Sequence, residues 1–129
     1  MKLSEILNEA PEEMTVQVTP APGNRTLFTG IAKHAGSMMS RIRSEVVCEI
    51  TTEQKPDSMF IGYVDSKVLK AGWGTKLLQY VVKYYTKQGI TDFSAYIPKD
   101  NQASMALFNK CGFTITKTQQ HGTFWELHL

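Results

Sequence analysis

The sequence predicts a mixed α/β domain with a mostly antiparallel central sheet of about seven strands and helices on both of its faces. Runs of alternating apolar and polar residues mark strands through the first half of the chain. The second half then changes period and follows the order strand, helix, strand, helix, strand, strand. The chain has 129 residues, of which 42% are hydrophobic. No repeat, low-complexity tract or long linker divides them, so we expect a single domain over residues 1–129.

The first half of the chain is predicted to be mostly strands. Leu3, Ile6 and Leu7 have helical spacing, which predicts a short helix within residues 1–13 that Pro11 ends. A loop of about six residues after residue 19 then separates the first two strands, which leaves no room for a helix between them. The fourth strand is almost entirely apolar and should be buried on both faces. The predicted strands are residues 14–19, 26–33, 42–52 and 59–64.

The second half contains the two longer predicted helices. From Thr75 onward, apolar residues recur as one helical stripe that Gly89 ends. Asp100 or Asn101 can cap a second helix that runs to Cys111, where Gly112 ends it. The predicted strands of this half are residues 90–97, 113–118 and 123–129.

Composition excludes several classes of protein. The net charge of +2 is too small an excess to indicate nucleic acid as a partner. No apolar run is long enough to cross a membrane, and the glutamates near the N-terminus are unlike a signal peptide, so we expect a cytoplasmic location. The two cysteines, Cys48 and Cys111, fit reduced thiols. The cysteines and three histidines lack metal-ligand spacing, so no metal is expected.

The segment between the fourth strand and the first long helix is the most informative. Gly72 and Gly74 free the backbone N–H groups from interference by a Cβ, and the helix N-terminus adds partial positive charge. Together they can form a nest for a phosphate or pyrophosphate, with Lys70 and Lys76 close in sequence. On this segment alone, a simple tight turn remains the alternative.

A second segment, residues 101–113, favours the phosphate-binding interpretation of the glycine corner over a simple tight turn. It resembles the N-x-x-(A/S)-x-x-(L/F)-Y-x-(K/R)-x-G-F segment of the GNAT family of N-acetyltransferases, whose (Q/R)-x-x-G-x-(G/A) loop resembles the glycine corner. The resemblance covers residues 59 to about 118, and the first 58 residues fit by strand order only, as a shortened first half. The matching residues of the second segment are Asn101, Ser104, Leu107, Lys110, Gly112 and Phe113.

The resemblance implies acetyl-CoA as co-substrate, with the CoA pyrophosphate held by the backbone of the corner. It also implies that the end of the fourth strand pairs with the pantetheine arm, that Asn101 contacts or orders this arm, and that Phe108 points at the thioester sulfur. The cofactor-binding residues expected on this basis are Gly62, Tyr63, Val64, Lys70, Ala71, Gly72, Trp73, Gly74, Thr75, Asn101, Ser104 and Phe108.

Two residues depart from the family pattern. Leu69 replaces the usual Gln or Arg, which removes a polar contact to the phosphates but leaves the backbone nest. Phe108 replaces a Tyr whose hydroxyl is placed to protonate the departing CoA thiolate. Either another group or water supplies the proton, or none is needed, or catalysis is lost.

A general base is needed because an amine such as that of lysine is mostly protonated at neutral pH. We predict Glu49 in this role, with Glu45 as a second candidate, since both lie opposite a face formed by Val46, Cys48 and Ile50. Solvated strand glutamates are the alternative. Asp65 is interpreted as a turn residue.

The resulting hypothesis is an acetyl-CoA-dependent N-acetyltransferase acting on a primary amine. The short connection between the first two strands should leave the acceptor side open, which suits a protein or peptide amine. The family often dimerises, so a homodimer is one expectation. The alternatives are a catalytically inactive CoA-binding or interaction module with this fold, and an unrelated α/β domain.

Overall fold

The computed structural model describes residues 13–35, 42–66 and 72–129. They form one seven-stranded sheet in the order β1-β2-β3-β4-β5-β7-β6, in which only the β4–β5 pair is parallel. The predicted mixed, mostly antiparallel α/β fold is thereby confirmed. The elements are β1 (Glu13–Ala21), β2 (Arg25–Ala35), β3 (Ile42–Gln54), β4 (Met59–Ser66), α1 (Trp73–Thr86), β5 (Asp92–Pro98), α2 (Gln102–Lys110), β6 (Thr114–Thr118) and β7 (Gly122–His128).

The N-terminal part of the described chain begins directly with a strand. Glu13, expected in the break that follows the predicted N-terminal helix, is the first residue of β1, and the predicted helix itself lies outside the described residues. β1 and β2 are joined by residues 22–24, a tighter connection than the predicted loop, because both strands extend further. Gly23 and Asn24 adopt φ values of 77° and 62°, the left-handed region that these two residue types tolerate best.

Both described helices pack against the same face of the sheet. Phe28 of β2 makes edge contacts with Tyr84 and Tyr85 of α1, at centroid distances of 5.2 and 5.6 Å. The chain after α2 meets Leu127, which lies on that face because it pairs with buried Phe93. The prediction of helices on both faces does not hold for the two described helices. The crossovers through α1 and α2 step the same way across the sheet, and right-handed crossovers then place both helices on one face.

A β-bulge in β3 changes which valine is buried. The β2–β3 register shifts between Gly30 and Ile31, so β3 has an extra residue at this point. Val47 is fully buried and Val46 is 39% exposed. The prediction that Val46 shares the buried face of Cys48 and Ile50 is therefore wrong, because simple alternation does not hold across a bulge.

The core lies between this face and the two helices. Four residues of the apolar stripe predicted for α1 are buried, Leu77, Leu78, Val81 and Tyr85, and the fifth, Val82, is partly buried. These side chains join one apolar cluster with the strands and with Phe108 and Phe113. No helix in the described ranges is long and apolar enough to cross a membrane. The single domain expected over residues 1–129 stays a prediction.

Candidate active site

The sheet opens between β4 and β5. These strands pair only from Met59 to Ile61 on β4 and from Phe93 to Ala95 on β5. Beyond these residues β4 continues to Ser66 paired only with β3, and β5 continues to Pro98 paired only with β7. The two strands therefore separate from each other toward their C-terminal ends. A second register shift, between Thr51 and Thr52, leaves Gly62 as the extra residue of β4 at the start of this opening. The predicted contact residues Gly62, Tyr63 and Val64 therefore lie along it.

The N-terminus of α1 follows β4 in the chain and carries the glycine corner. Gly72 is the N-cap residue with φ 76°, and no side chain caps the helix. The main-chain N–H groups of Trp73, Gly74 and Thr75 have no acceptor within the helix, because they precede its first complete turn. The corner continues into residues that the structure does not describe: Leu69, Lys70 and Ala71 fall within 67–71.

Charge at this helix end favours an anion. The first turn of α1 contains no acidic residue, and its charged residue is Lys76. The Lys76 ammonium lies 5.2 Å from the centroid of the Trp73 ring, a cation–π distance. A lysine at a helix N-terminus is unfavourable by roughly 0.3–1 kcal/mol unless a negative group compensates it. This helix start breaks the usual capping and charge preferences in the way a phosphate site requires.

The first turn of α1 is held from the sheet and from α2. The Cys48 thiol on β3 donates to the Trp73 carbonyl at 3.5 Å, and the Cys111 thiol after α2 donates to the Thr75 carbonyl at 4.0 Å. The Leu107 methyl groups lie 3.6 Å from the position that a Cβ on Gly74 would occupy. The turn that carries the N–H groups is thus packed on two sides.

The cofactor-binding residues predicted at α2 lie in two different environments, at the exposed start of the helix and in the core. Asn101 is the N-cap of this helix, and its side-chain oxygen accepts a hydrogen bond from the Ser104 N–H at 3.1 Å. Phe108 is only 2% exposed, and its ring makes an edge contact with Phe113 at 4.9 Å. Asn101 and Ser104 therefore fix the start of α2, and Phe108 anchors the helix in the core.

Glu49, the predicted base, lies half-buried on β3 beside the opened part of β4. Its register partners are Thr29 on β2 and Asp65 on β4. Since Cys48 faces α1, Glu49 points to the other face of the sheet. Asp65, interpreted as a turn residue, lies within β4 and directly opposite Glu49. The sequence could have revealed this pair only with the bulge-adjusted register.

The pKa of the Cys48 thiol reflects its burial and the negative charges of Glu49 and Asp65. Burial first, and the nearby charges of the two carboxylates in addition, raise the pKa of the Cys48 thiol to about 11. A thiol in this state stays protonated at neutral pH, which disfavours an acyl-carrying nucleophile. Among the described residues, no group of three or more potential ligand side chains could hold a metal ion.

In open α/β sheets, an uncapped helix N-terminus beside the C-terminal ends of the strands is a common place for phosphorylated ligands to bind. The sequence model of the acetyltransferase (GNAT) family matches residues 23–113. The chain therefore belongs to the GNAT family. A search of curated proteins finds no match.

Solved structures share the fold at low sequence identity. The PaiA N-acetyltransferase of Thermoplasma acidophilum, in complex with coenzyme A, has a TM-score of 0.66 and 15% identity, over 82% of this chain and 62% of that one. The IAA acetyltransferase of Bacillus cereus ATCC 14579 has a TM-score of 0.71 and 16% identity, over 91% and 100%. The NatC complex bound to Gag peptide and CoA has a TM-score of 0.60 and 17% identity, over 78% and 70%.

The chain thus spans under two thirds of the Thermoplasma protein and the full length of the Bacillus one. Together with the family match, the CoA in two of these structures supports acetyl-CoA as the co-substrate.

Proposed function

We propose that the protein transfers an acetyl group from acetyl-CoA to a primary amine. The observation that carries this proposal is the opening between β4 and β5 next to the uncapped N-terminus of α1. The helix end supplies N–H donors for the pyrophosphate, and the unpaired edge of β4 at Gly62 and Val64 can hydrogen-bond an extended pantetheine arm. The thioester would then lie within the sheet opening, accessible from the face opposite the helices.

The chemistry asks little of side chains once both substrates are in place. The amine attacks the activated thioester carbonyl, the C–S bond breaks, and the thiolate leaves as the amide forms. The amine must be neutral when it attacks, so a base has to take up its proton. The position of Glu49 supports this role, because its side chain projects onto the face away from the helices, beside the part of β4 that does not pair with β5.

Glu49→Gln tests the assignment of the base. We expect kcat/KM to fall by about 10²–10⁴-fold, with the loss of the limb of its pH profile that reports the base. The matched control is Glu53→Gln, because Glu53 lies on the same face of β3 two rungs away and pairs with Lys55 at 3.3 Å. An equal loss in both variants would refute a specific role for Glu49.

We further propose a protein or peptide as the carrier of the amine. Its support is the three-residue connection between β1 and β2, where the described chain has no helix to enclose an acceptor. The NatC relative, which was solved with a peptide, fits the same reading. CoA release measured across a panel of peptides and small amines tests it, and a preference for small amines would contradict it. A homodimer and a cytoplasmic location stay predictions.

A CoA-binding module without turnover is the second candidate. The observation that favours it is Phe108, which is buried and has no proton to give to the leaving thiolate. Acetyl-CoA binding by calorimetry, with no CoA release for any amine in the panel, would select this candidate.

A further inference from the structure

The two cysteines of the chain converge on the same helical turn. Cys48 reaches it from the sheet and Cys111 from the end of α2, and each thiol hydrogen-bonds a main-chain carbonyl of the first turn of α1. The two carbonyls, of Trp73 and Thr75, flank Gly74. The family resemblance assigns neither contact.

The position of the Cys48 thiol is itself fixed by its neighbours. A Cβ on Gly30 would come within 2.8 Å of the Cys48 sulfur and 2.7 Å of the Met14 sulfur, so only glycine leaves space here. The Met14 sulfur, 3.9 Å from the Cys48 sulfur, is a second acceptor within reach of the single thiol hydrogen, but a thioether sulfur accepts more weakly than a carbonyl oxygen. Glycine at position 30 thus lets a thiol reach the carbonyl of Trp73.

The carbonyl of Trp73 and the N–H of Gly74 belong to one rigid peptide unit. A donor on the oxygen therefore orients the N–H at the other end of the unit, toward the helix N-terminus. It also polarises that N–H, because hydrogen bonds in series strengthen one another. The second thiol acts further along the same turn: the Thr75 carbonyl shares its peptide unit with the Lys76 N–H, which donates to the Gly72 carbonyl at 3.1 Å and closes the first turn.

We propose that Cys48 and Cys111 are positioning residues that hold the first turn of α1 for the phosphates of acetyl-CoA. This inference rests on the proposed function, because it requires acetyl-CoA to bind at this turn. Burial raises the pKa of both thiols, which keeps them protonated and able to donate at neutral pH.

The test compares alanine, which removes the donor, with serine, which keeps one. We expect Cys48→Ala and Cys111→Ala each to raise the Kd of acetyl-CoA about threefold in calorimetry, as the loss of a weak hydrogen bond implies. The corresponding serine variants should restore the affinity. In steady-state kinetics the loss should appear in the KM for acetyl-CoA, with kcat at saturation unchanged. Val81→Ala, a buried change further along α1, is the control and should leave the Kd unaltered.

The outcomes separate this inference from the proposed function. If the unmodified protein does not bind acetyl-CoA, both fall. If it binds and the alanine variants bind equally well, or serine behaves as alanine does, only the positioning role is overturned. Should Cys48→Ala fail to fold, the comparison of Cys111→Ala with Cys111→Ser decides, because Cys111 is only half-buried and its replacement disturbs the core less.

Discussion

At Gly72 the backbone conformation and the proposed anion site can be tested separately. Asparagine and aspartate both tolerate a left-handed φ and both cap helices, and a Cβ at this position meets no atom within 4 Å. They differ in charge alone. We expect Gly72→Asp to bind acetyl-CoA about tenfold more weakly than Gly72→Asn at low salt, because a carboxylate repels the pyrophosphate.

This difference should shrink as salt rises, and the two variants should melt at similar temperatures. Calorimetry at two salt concentrations checks both statements. Equal affinities in the two variants would place the phosphates elsewhere.

Phe108 is where the core and the active-site interpretations diverge. Because its side chain is 2% exposed, we expect Phe108→Tyr to lower the free energy of unfolding by about 1–3 kcal/mol through a buried, unpaired hydroxyl. Phe113→Tyr is the matched control, since Phe113 is equally buried and is the partner of Phe108 in the ring pair. Denaturation curves and steady-state rates are the measurements. A rise in kcat in Phe108→Tyr alone would show that a proton donor at this position reaches the thioester.

The residues of the site were predictable from sequence to unequal degrees. The corner around Gly72 and Gly74 could be recognised because its chemistry depends on the local backbone. The contact of Cys48 with the Trp73 carbonyl could not, because it joins residues that meet only after the sheet and α1 have packed. The pairing of Glu49 with Asp65 was missed for a related reason: it depends on register across two strands.

Among the secondary-structure elements, α2 follows a residue, Asn101, whose structural role as a helix cap can be separated from a role in binding acetyl-CoA. Asn101→Ala removes the cap on the Ser104 N–H and should cost about 1 kcal/mol of stability, whereas Asn101→Asp keeps an acceptor there. If Asn101 serves only as the cap, Asn101→Asp should bind acetyl-CoA as the unmodified protein does. Weaker binding by this stable variant would mean that the amide also contacts the pantetheine arm. Chemical denaturation and calorimetry on both variants measure the two effects.

The end of β7 should make stability depend on pH. His128 contacts Asp92 at 2.6 Å and Glu126 at 2.8 Å, and hydrogen bonds to Asp92 first and Glu126 second raise its pKa. A raised pKa in the folded state stabilises the protein below the ordinary value near 6.5. That contribution is lost as pH rises through the folded value.

Denaturation curves of His128→Gln from pH 5.5 to 8.5 should therefore show a smaller decline in stability than those of the unmodified protein. Parallel declines would assign the pH dependence to other groups.

Sequence periodicity predicted the elements better than their arrangement. Strand and helix positions follow from local alternation and from stripes such as that of α1. The bulge at Val46 and Val47 has no local signal, because it is set by pairing with β2. The placement of both helices on one face follows from the strand order, which only the complete sheet provides.

For the whole molecule, acetyl-CoA should raise the melting temperature. A ligand that binds only the folded state stabilises it by mass action, by about 2.7 kcal/mol at a concentration 100 times its Kd. For a domain of 129 residues this corresponds to a rise of roughly 10 °C. Adenosine at the same concentration is the control, because it lacks the pyrophosphate and pantetheine that the helix end and β4 would bind.

Melting curves combined with CoA release then separate the three classes of protein considered for this chain. A rise together with CoA release on addition of an amine identifies an active acetyltransferase, and a rise without release identifies a binding module. An unchanged melting temperature at saturating acetyl-CoA would contradict the proposed function without contradicting the fold. A site between β4, β5 and the N-terminus of α1 cannot bind its ligand without stabilising the elements that form it.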